Sequence, residues 1–187
     1  MVVGTDIRHS SESLKLALSQ GLMDGGVDII DIGMTGTEEI YFTTFHLDVD
    51  GGIEVTASHN PLDYNGMKLL IRGAEPIRGD TGLNKIQRLA ELNQFQVVKS
   101  SGSLVKKDIL PDFIAHLTTY VAFAKLKPLK LVVNSGNGAA GHVIDTLEIF
   151  FKSHHIPVTF VKVHHEANGD FPNGIPNPLS PENRHTN

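Results

Sequence analysis

The chain has 187 residues, 40% hydrophobic and 20% charged, with a formal net charge of -5 and no cysteine. That balance describes one large or two small globular domains and excludes a disordered chain, a disulfide framework and thiolate metal sites. No basic block and no apolar run near the roughly 20 residues a bilayer requires are present, so neither nucleic acid nor membrane is an expected partner; the lack of cysteine is compatible with the cytoplasm.

In chain order, Val2 and Val3 open a short strand that runs into Gly4. A helix is expected from the Ser10–Ser13 region to Gly25-Gly26, with Leu14, Leu16, Ala17, Leu18, Gly21 and Leu22 as its apolar face. "VDIIDIG" (27–33) reads as a buried strand and "TGTEEIYFTTFHL" (35–47) as a helix with Thr37 as a possible cap. "GGIEVTAS" (51–58) and "MKLLI" (67–71) read as strands joined by a turn-rich loop, a hairpin, and "TGLNKIQRLAEL" (81–92) as another helix. Periodicity is lost over 95–107, which places a linker there, and "VKKD" (105–108) reads as an exposed helix start. The helix "ILPDFIAHLTTYVAFA" (109–124) then leads to the strand 129–134, the helix 139–154 and the strand 157–165, a βαβ pattern. From Glu166 onward the chain is a proline-rich loop.

The hairpin loop "TASHNPLDYNGMK" (56–68) places Ser58, His59, Asn60, Asn65, Gly66 and Lys68 within a few residues of one another. A hydrolase reading is weak, because the G-x-S-x-G elbow is missing. On extended backbone, moreover, adjacent side chains face opposite ways, so His59 is poorly placed to activate Ser58. Phosphoryl transfer fits the composition better, since a phosphate needs convergent donors and cations. The Asn65-Gly66 turn is expected to return Lys68 beside the serine.

"TASHNP" followed by "YNGMK" resembles the phosphoserine loop of the α-D-phosphohexomutases. "GTEEIYF", "GDTGLNKIQRLAE", "LVVNSGNGAAG" and "NGDFPNGIPNPLSPENR" extend that resemblance over nearly the whole chain, towards the mannose-phosphate branch of the family. The resemblance implies an α/β fold of α/β/α layers: a first domain over 1–95 lacking its first strand, a linker over 96–107, and part of a second, similar domain over 108–187. It implies a hexose phosphate substrate, with mannose 6-phosphate and mannose 1-phosphate interconverted through a phosphoserine at Ser58 and a hexose 1,6-bisphosphate. Lys68 and His59 take catalytic roles in that scheme, while Asn60 and Asn65 position the phosphate. Mg2+ is the implied cofactor, bound to the phosphate on Ser58. The family's Asp-Gly-Asp-x-Asp-Arg metal loop does not occur in this sequence, so little mutase activity is expected of the chain alone. "GTDIR" (4–8) resembles a stretch outside the catalytic turn, and Arg8 is therefore expected to brace the first domain.

Two further signals have ordinary explanations. "GNGAAG" (136–141) satisfies the dinucleotide pattern, so a non-catalytic nucleotide-binding module using Gly136, Gly138 and Gly141 is the alternative reading, although a tight strand-to-helix turn needs the same glycines. The pairs His154-His155 and His164-His165 cannot chelate one ion without distant partners and are expected at helix ends or in solvent.

Overall fold

The computed structural model describes residues 1–93, 95, 98–177, 179 and 181, so parts of the expected linker and of the proline-rich loop lie outside the described residues. Its first layer is a six-stranded sheet in the order β5-β4-β3-β1-β2-β6. The strands are β1 (Val2–Thr5), β2 (Ile29–Met34), β3 (Gly51–Val55), β4 (Met67–Ile71), β5 (Glu75–Pro76) and β6 (Leu104–Lys106). β1 runs parallel to β2 and β3, while β4 turns back antiparallel on β3 with Glu54 opposite Lys68 and Val55 opposite Met67. The hairpin and the α/β class thus follow the sequence reading.

Helix α2 (Thr37–His46) lies directly on one face of this sheet, around a core of Val2, Ile40 and Leu70. Two glycines permit the close approach: a methyl at Gly52 would overlap Thr44 Oγ1, and one at Gly4 would overlap Thr35 Oγ1. Thr37 is not the cap. Gly36 holds that position, and the Glu39 carboxylate accepts from the Gly36 N–H at 2.8 Å.

Helix α1 (Ser11–Asp24) packs against the sheet on the stripe Ser11, Lys15, Ser19, rather than on the leucines. Leu14, Leu18 and Leu22 flank the contact half-buried, and Leu16 is 58% exposed. The i, i+4, i+8 stripe wins because small serines let the helix sit close, and because Lys15 Nζ reaches the Asp31 carboxylate on β2 at 3.0 Å. Glu12 and Asp31 hold the Lys15 amine above its ordinary pKa, although burial works against it.

The helix expected over 81–92 is α3 (Asn84–Glu91), and the expected linker beyond it is structured at its end. Asp28 Oδ1 accepts from the N–H and hydroxyl of Ser103, and β6 then pairs in parallel with β2. Three residues are too few to show periodicity, which is why the sequence reads as a connection. Asp108 accepts from Leu110 N–H at 3.0 Å and so starts α4 (Leu110–Thr118), which ends earlier than its apolar pattern suggested. Thr118 and Thr119 bond their hydroxyls to carbonyls three residues back, competing with the helix. Phe113 and Ile109 meet Phe42 of α2, so α4 is joined to the first layer by an apolar cluster.

The remaining elements form the expected βαβ unit. β7 (Leu129–Asn134) and β8 (Val158–Val163) pair in parallel, with α5 (Gly141–Ser153) between them. Among the described residues no helix is long and apolar enough to cross a membrane.

Candidate active site

β3 ends at Val55, and the chain leaves its C-terminal edge as a loop that closes where Thr56 N–H donates to Gly66 O at 2.9 Å. Ser58 is exposed and has φ +55°, the left-handed region that a non-glycine residue occupies only at a cost of about 1–3 kcal/mol. Two contacts pin it there. Its N–H donates to Thr56 Oγ1 at 2.9 Å, and its carbonyl accepts from Arg8 Nη2 at 3.0 Å.

Arg8 organises the whole loop. Its guanidinium donates to the carbonyls of Ser58, Asn60, Pro61, Leu62 and Tyr64 at 2.6 to 3.3 Å while only 3% of the residue is exposed. A planar fork with five N–H donors suits this task as an ammonium would not. Asp6 sits beside it, with Oδ2 3.3 Å from Arg8 Nε. The same carboxylate accepts from the hydroxyls of Ser11 and Thr56, which ties the start of α1 to the root of the loop. Arg8 thus braces the first layer as expected, but it does so through the serine loop itself, a role no sequence signal pointed to.

The other candidate residues divide. His59 Nδ1 lies 3.2 Å from Ser58 Oγ. The extended-backbone argument against this pair fails, because the positive φ of Ser58 swings its hydroxyl towards the next side chain. Asn60 Nδ2 donates to Ala57 O at 2.8 Å and closes the turn. Asn65 Nδ2 donates to the hydroxyls of Ser10 and Ser11 at 2.8 and 2.9 Å, anchoring the far arm of the loop to α1. Lys68 Nζ donates to Thr37 Oγ1 at 3.0 Å, at the start of α2. The hairpin register sets Lys68 opposite Glu54, four residues before Ser58.

Glu54 is the group the sequence reading missed, although a carboxylate inside "GGIEV" was a visible signal. It is 1% exposed, with Oε2 accepting from Thr35 Oγ1 at 2.9 Å and Oε1 without a hydrogen-bond partner. Burial pushes its carboxyl well above the ordinary range; Thr35 opposes the shift, Asp6 and Glu39 add to it, and Lys68 counteracts it. The unfolded chain therefore ionises first as pH rises. The stability that neutral Glu54 contributes is present below its ordinary value of 4.5 and is lost as pH climbs through the raised folded value. Glu54→Gln cannot ionise, so it should match the parent in acid and exceed it above, the gap widening by about 1.4 kcal/mol per pH unit within that window. Urea midpoints measured across pH check this, and parallel profiles for parent and variant would contradict it.

The glycine turn offers no room for a nucleotide. A side chain at Gly136 would sit 2.5 Å from Pro176 Cβ, and one at Gly141 would sit 2.5 Å from His165 O. The N–H groups of residues 136, 137 and 138 donate to Asn134 Oδ1, His164 O and Ser135 O. The nucleotide-binding alternative is corrected accordingly: Gly136, Gly138 and Gly141 serve packing. His165 is not solvated either, since Nε2 meets Asp145 Oδ1 at 2.8 Å with its side chain 13% exposed. His154 ends α5 as expected, stacked on Phe150. Among the described residues no group of three or more His, Cys, Asp or Glu side chains is placed to hold a metal ion.

Two family models match the chain: phosphoglucomutase/phosphomannomutase α/β/α domain I over residues 1–97 and domain II over residues 111–186. The chain is 63% identical over 184 residues to a phosphomannomutase of Vibrio cholerae, and 64% identical over 187 residues to one of Escherichia coli. It is 49% identical over 184 residues to a Xanthomonas campestris protein described as phosphohexose mutases. Each alignment covers 98% of this chain but only 40 to 41% of the relative, so the chain spans about two fifths of the length of the curated relatives it matches. A crystal structure of a phosphoglucomutase/phosphomannomutase family protein from Burkholderia thailandensis superposes with a TM-score of 0.80 at 36% identity, covering 98% of this chain and 40% of that one.

Proposed function

The chain belongs to the phosphoglucomutase/phosphomannomutase family, and from that premise we propose that Ser58 is the phosphoryl carrier of a phosphomannomutase. The observation that carries this reading is the exposed Ser58 residue, held at φ +55° by bonds to its own N–H and carbonyl. A strained, over-determined residue in an exposed loop suits a transfer site, because the acceptor oxygen must hold its position without a side-chain cage.

The phosphate on Ser58 passes to the free hydroxyl of a hexose monophosphate, so the P–Oγ bond breaks while a bond from phosphorus to sugar oxygen forms. The sugar hydroxyl passes its proton to water, and His59, at 3.2 Å, supplies one to the departing serine oxygen and takes it back from Oγ in the return transfer. The bisphosphate turns over, and its other phosphoryl group returns to Oγ. Lys68, bonded to Thr37 at the start of α2, offsets the charge of the transferring group, while Asn60 and Asn65 hold the loop that positions the phosphoserine.

Mg2+ would meet an oxygen of that phosphate, a hard cation on an oxygen ligand. The described residues supply no cluster for its other ligands. The domain division is proposed as 1–95 and 108–187, with 96–107 between them and β6 completing the first sheet.

Intact mass of the purified chain, followed by peptide mapping, tests the assignment. A covalent phosphate adds about 80 Da; its place on Ser58 is the expected result, and a phosphate carried elsewhere with Ser58 unmodified would overturn it. Given mannose 1-phosphate, glucose 1,6-bisphosphate and Mg2+, the 187 residues alone are expected to show little or no turnover.

A further inference from the structure

Arg8 also has an aromatic partner. The Phe171 ring lies 5.6 Å from Arg8 Cζ, within cation–π range, with Phe171 only 8% exposed. Phe171 stands outside the first sheet, on the segment that follows β8, and has φ +45°, so it too is held in a conformation an aromatic residue seldom adopts. Three contacts fasten that segment to the glycine turn: Asn168 N–H donates to Asn137 O at 2.9 Å, Asn173 Nδ2 donates to Asn137 Oδ1 at 2.8 Å, and Asn137 Nδ2 donates to Glu166 O at 2.9 Å. At the other end the segment presses on the residues beside Arg8. A methyl at Gly169 would sit 2.7 Å from Ile7 O, and Asp170 meets His9 Nε2 at 2.7 Å.

We infer that the 168–174 segment is a strut: Phe171 seats the Arg8 guanidinium, so docking of the βαβ unit sets the conformation of the serine loop. The contacts are continuous, from the turn at Asn137 through Phe171 and Arg8 to the carbonyl of Ser58. Phe171 is a positioning residue, acting on the loop only through Arg8. The glycine turn thereby gains a purpose that nucleotide binding did not supply. Its tight strand-to-helix geometry presents Asn137, at φ +55°, to the strut. A ring partner takes up no N–H group, so Nη1 and Nη2 both remain for the loop carbonyls, which a hydrogen-bonding partner would not allow. This coupling belongs to the fold whatever chemistry Ser58 performs, so its failure would leave the phosphoserine reading standing, and a missing phosphate would leave the coupling untouched.

Hydrogen–deuterium exchange on the whole chain tests it, comparing amides bonded within the loop (Thr56, Asn60, Tyr64) with amides of β3. Phe171→Ala should speed loop exchange about tenfold or more while β3 amides change less than about twofold. Gly169→Ala, which lifts the strut sterically without removing the ring, should act the same way, and Phe171→Tyr, which keeps the ring, should retain the parent rates. Loop amides unchanged in both Phe171→Ala and Gly169→Ala, or accelerated by the same factor as β3, would overturn the inference.

Discussion

Arg8→Ala lowers the free energy of unfolding by about 3 kcal/mol, the scale expected when a buried, hydrogen-bonded cation is removed. The loss has two parts. Five loop carbonyls lose their donor, and although water can reach several of them in the exposed loop, the carbonyl of Ser58 loses one of the two contacts that fix its positive φ. Asp6, beside the guanidinium, keeps its bonds to Ser11 and Thr56 but loses the charge that balances it. Arg8→Lys separates the two. An ammonium can still pair with Asp6 but cannot fork across five carbonyls, so this variant should recover part of the stability and little of the loop order. Urea denaturation of the three proteins measures the first effect, and exchange of the loop amides the second. A loss under about 1 kcal/mol for Arg8→Ala would show that the loop holds its shape by other means.

The second large effect concerns turnover and needs the rest of a family enzyme. Replacing the matching stretch of the Vibrio cholerae phosphomannomutase with this chain, 63% identical to it, should give an active chimera. In that chimera Ser58→Ala should reduce turnover on the order of 10^4-fold or more, as expected on losing a covalent nucleophile. Lys68→Met should cost roughly 10^2- to 10^4-fold, the range of a single proton-transfer or charge-stabilising group. His59→Ala should fall in the same range if Nδ1 serves the departing oxygen. These variants distinguish two roles for Lys68. If it only props Thr37 and the start of α2, Thr37→Val should match Lys68→Met; if it reaches the phosphate, Thr37→Val should be far milder.

Much of this arrangement was legible in the sequence because it depends on periodicity and turn chemistry. The alternation of strands and helices, the hairpin closed at Gly66 and the βαβ unit all appear as patterns in "GGIEV", "MKLLI", "LKLVVN" and their neighbours. The serine loop stood out because its polar residues interrupt two apolar strands. What stayed hidden depends on long-range contacts. The leucines of α1 promised a face that Ser11, Lys15 and Ser19 occupy instead, because Asp31 waits on the neighbouring strand and the helix pattern alone cannot show it. β6 is too short for any periodic signal, and its place is set by Asp28, far back in the chain. The His59 geometry turned on one backbone angle at Ser58 that composition does not announce. Arg8 was visible as a residue, but its partners lie 50 to 56 positions away, so only the folded chain shows it gripping the loop.

The most direct test of the phosphoserine assignment is to expose the active chimera to glucose 1,6-bisphosphate, quench it, and map the covalent phosphate by peptide fragmentation. The account predicts one phosphate per chain, on Ser58, discharged when mannose 1-phosphate is added. A phosphate on any other side chain, or turnover that persists in Ser58→Ala, would contradict it.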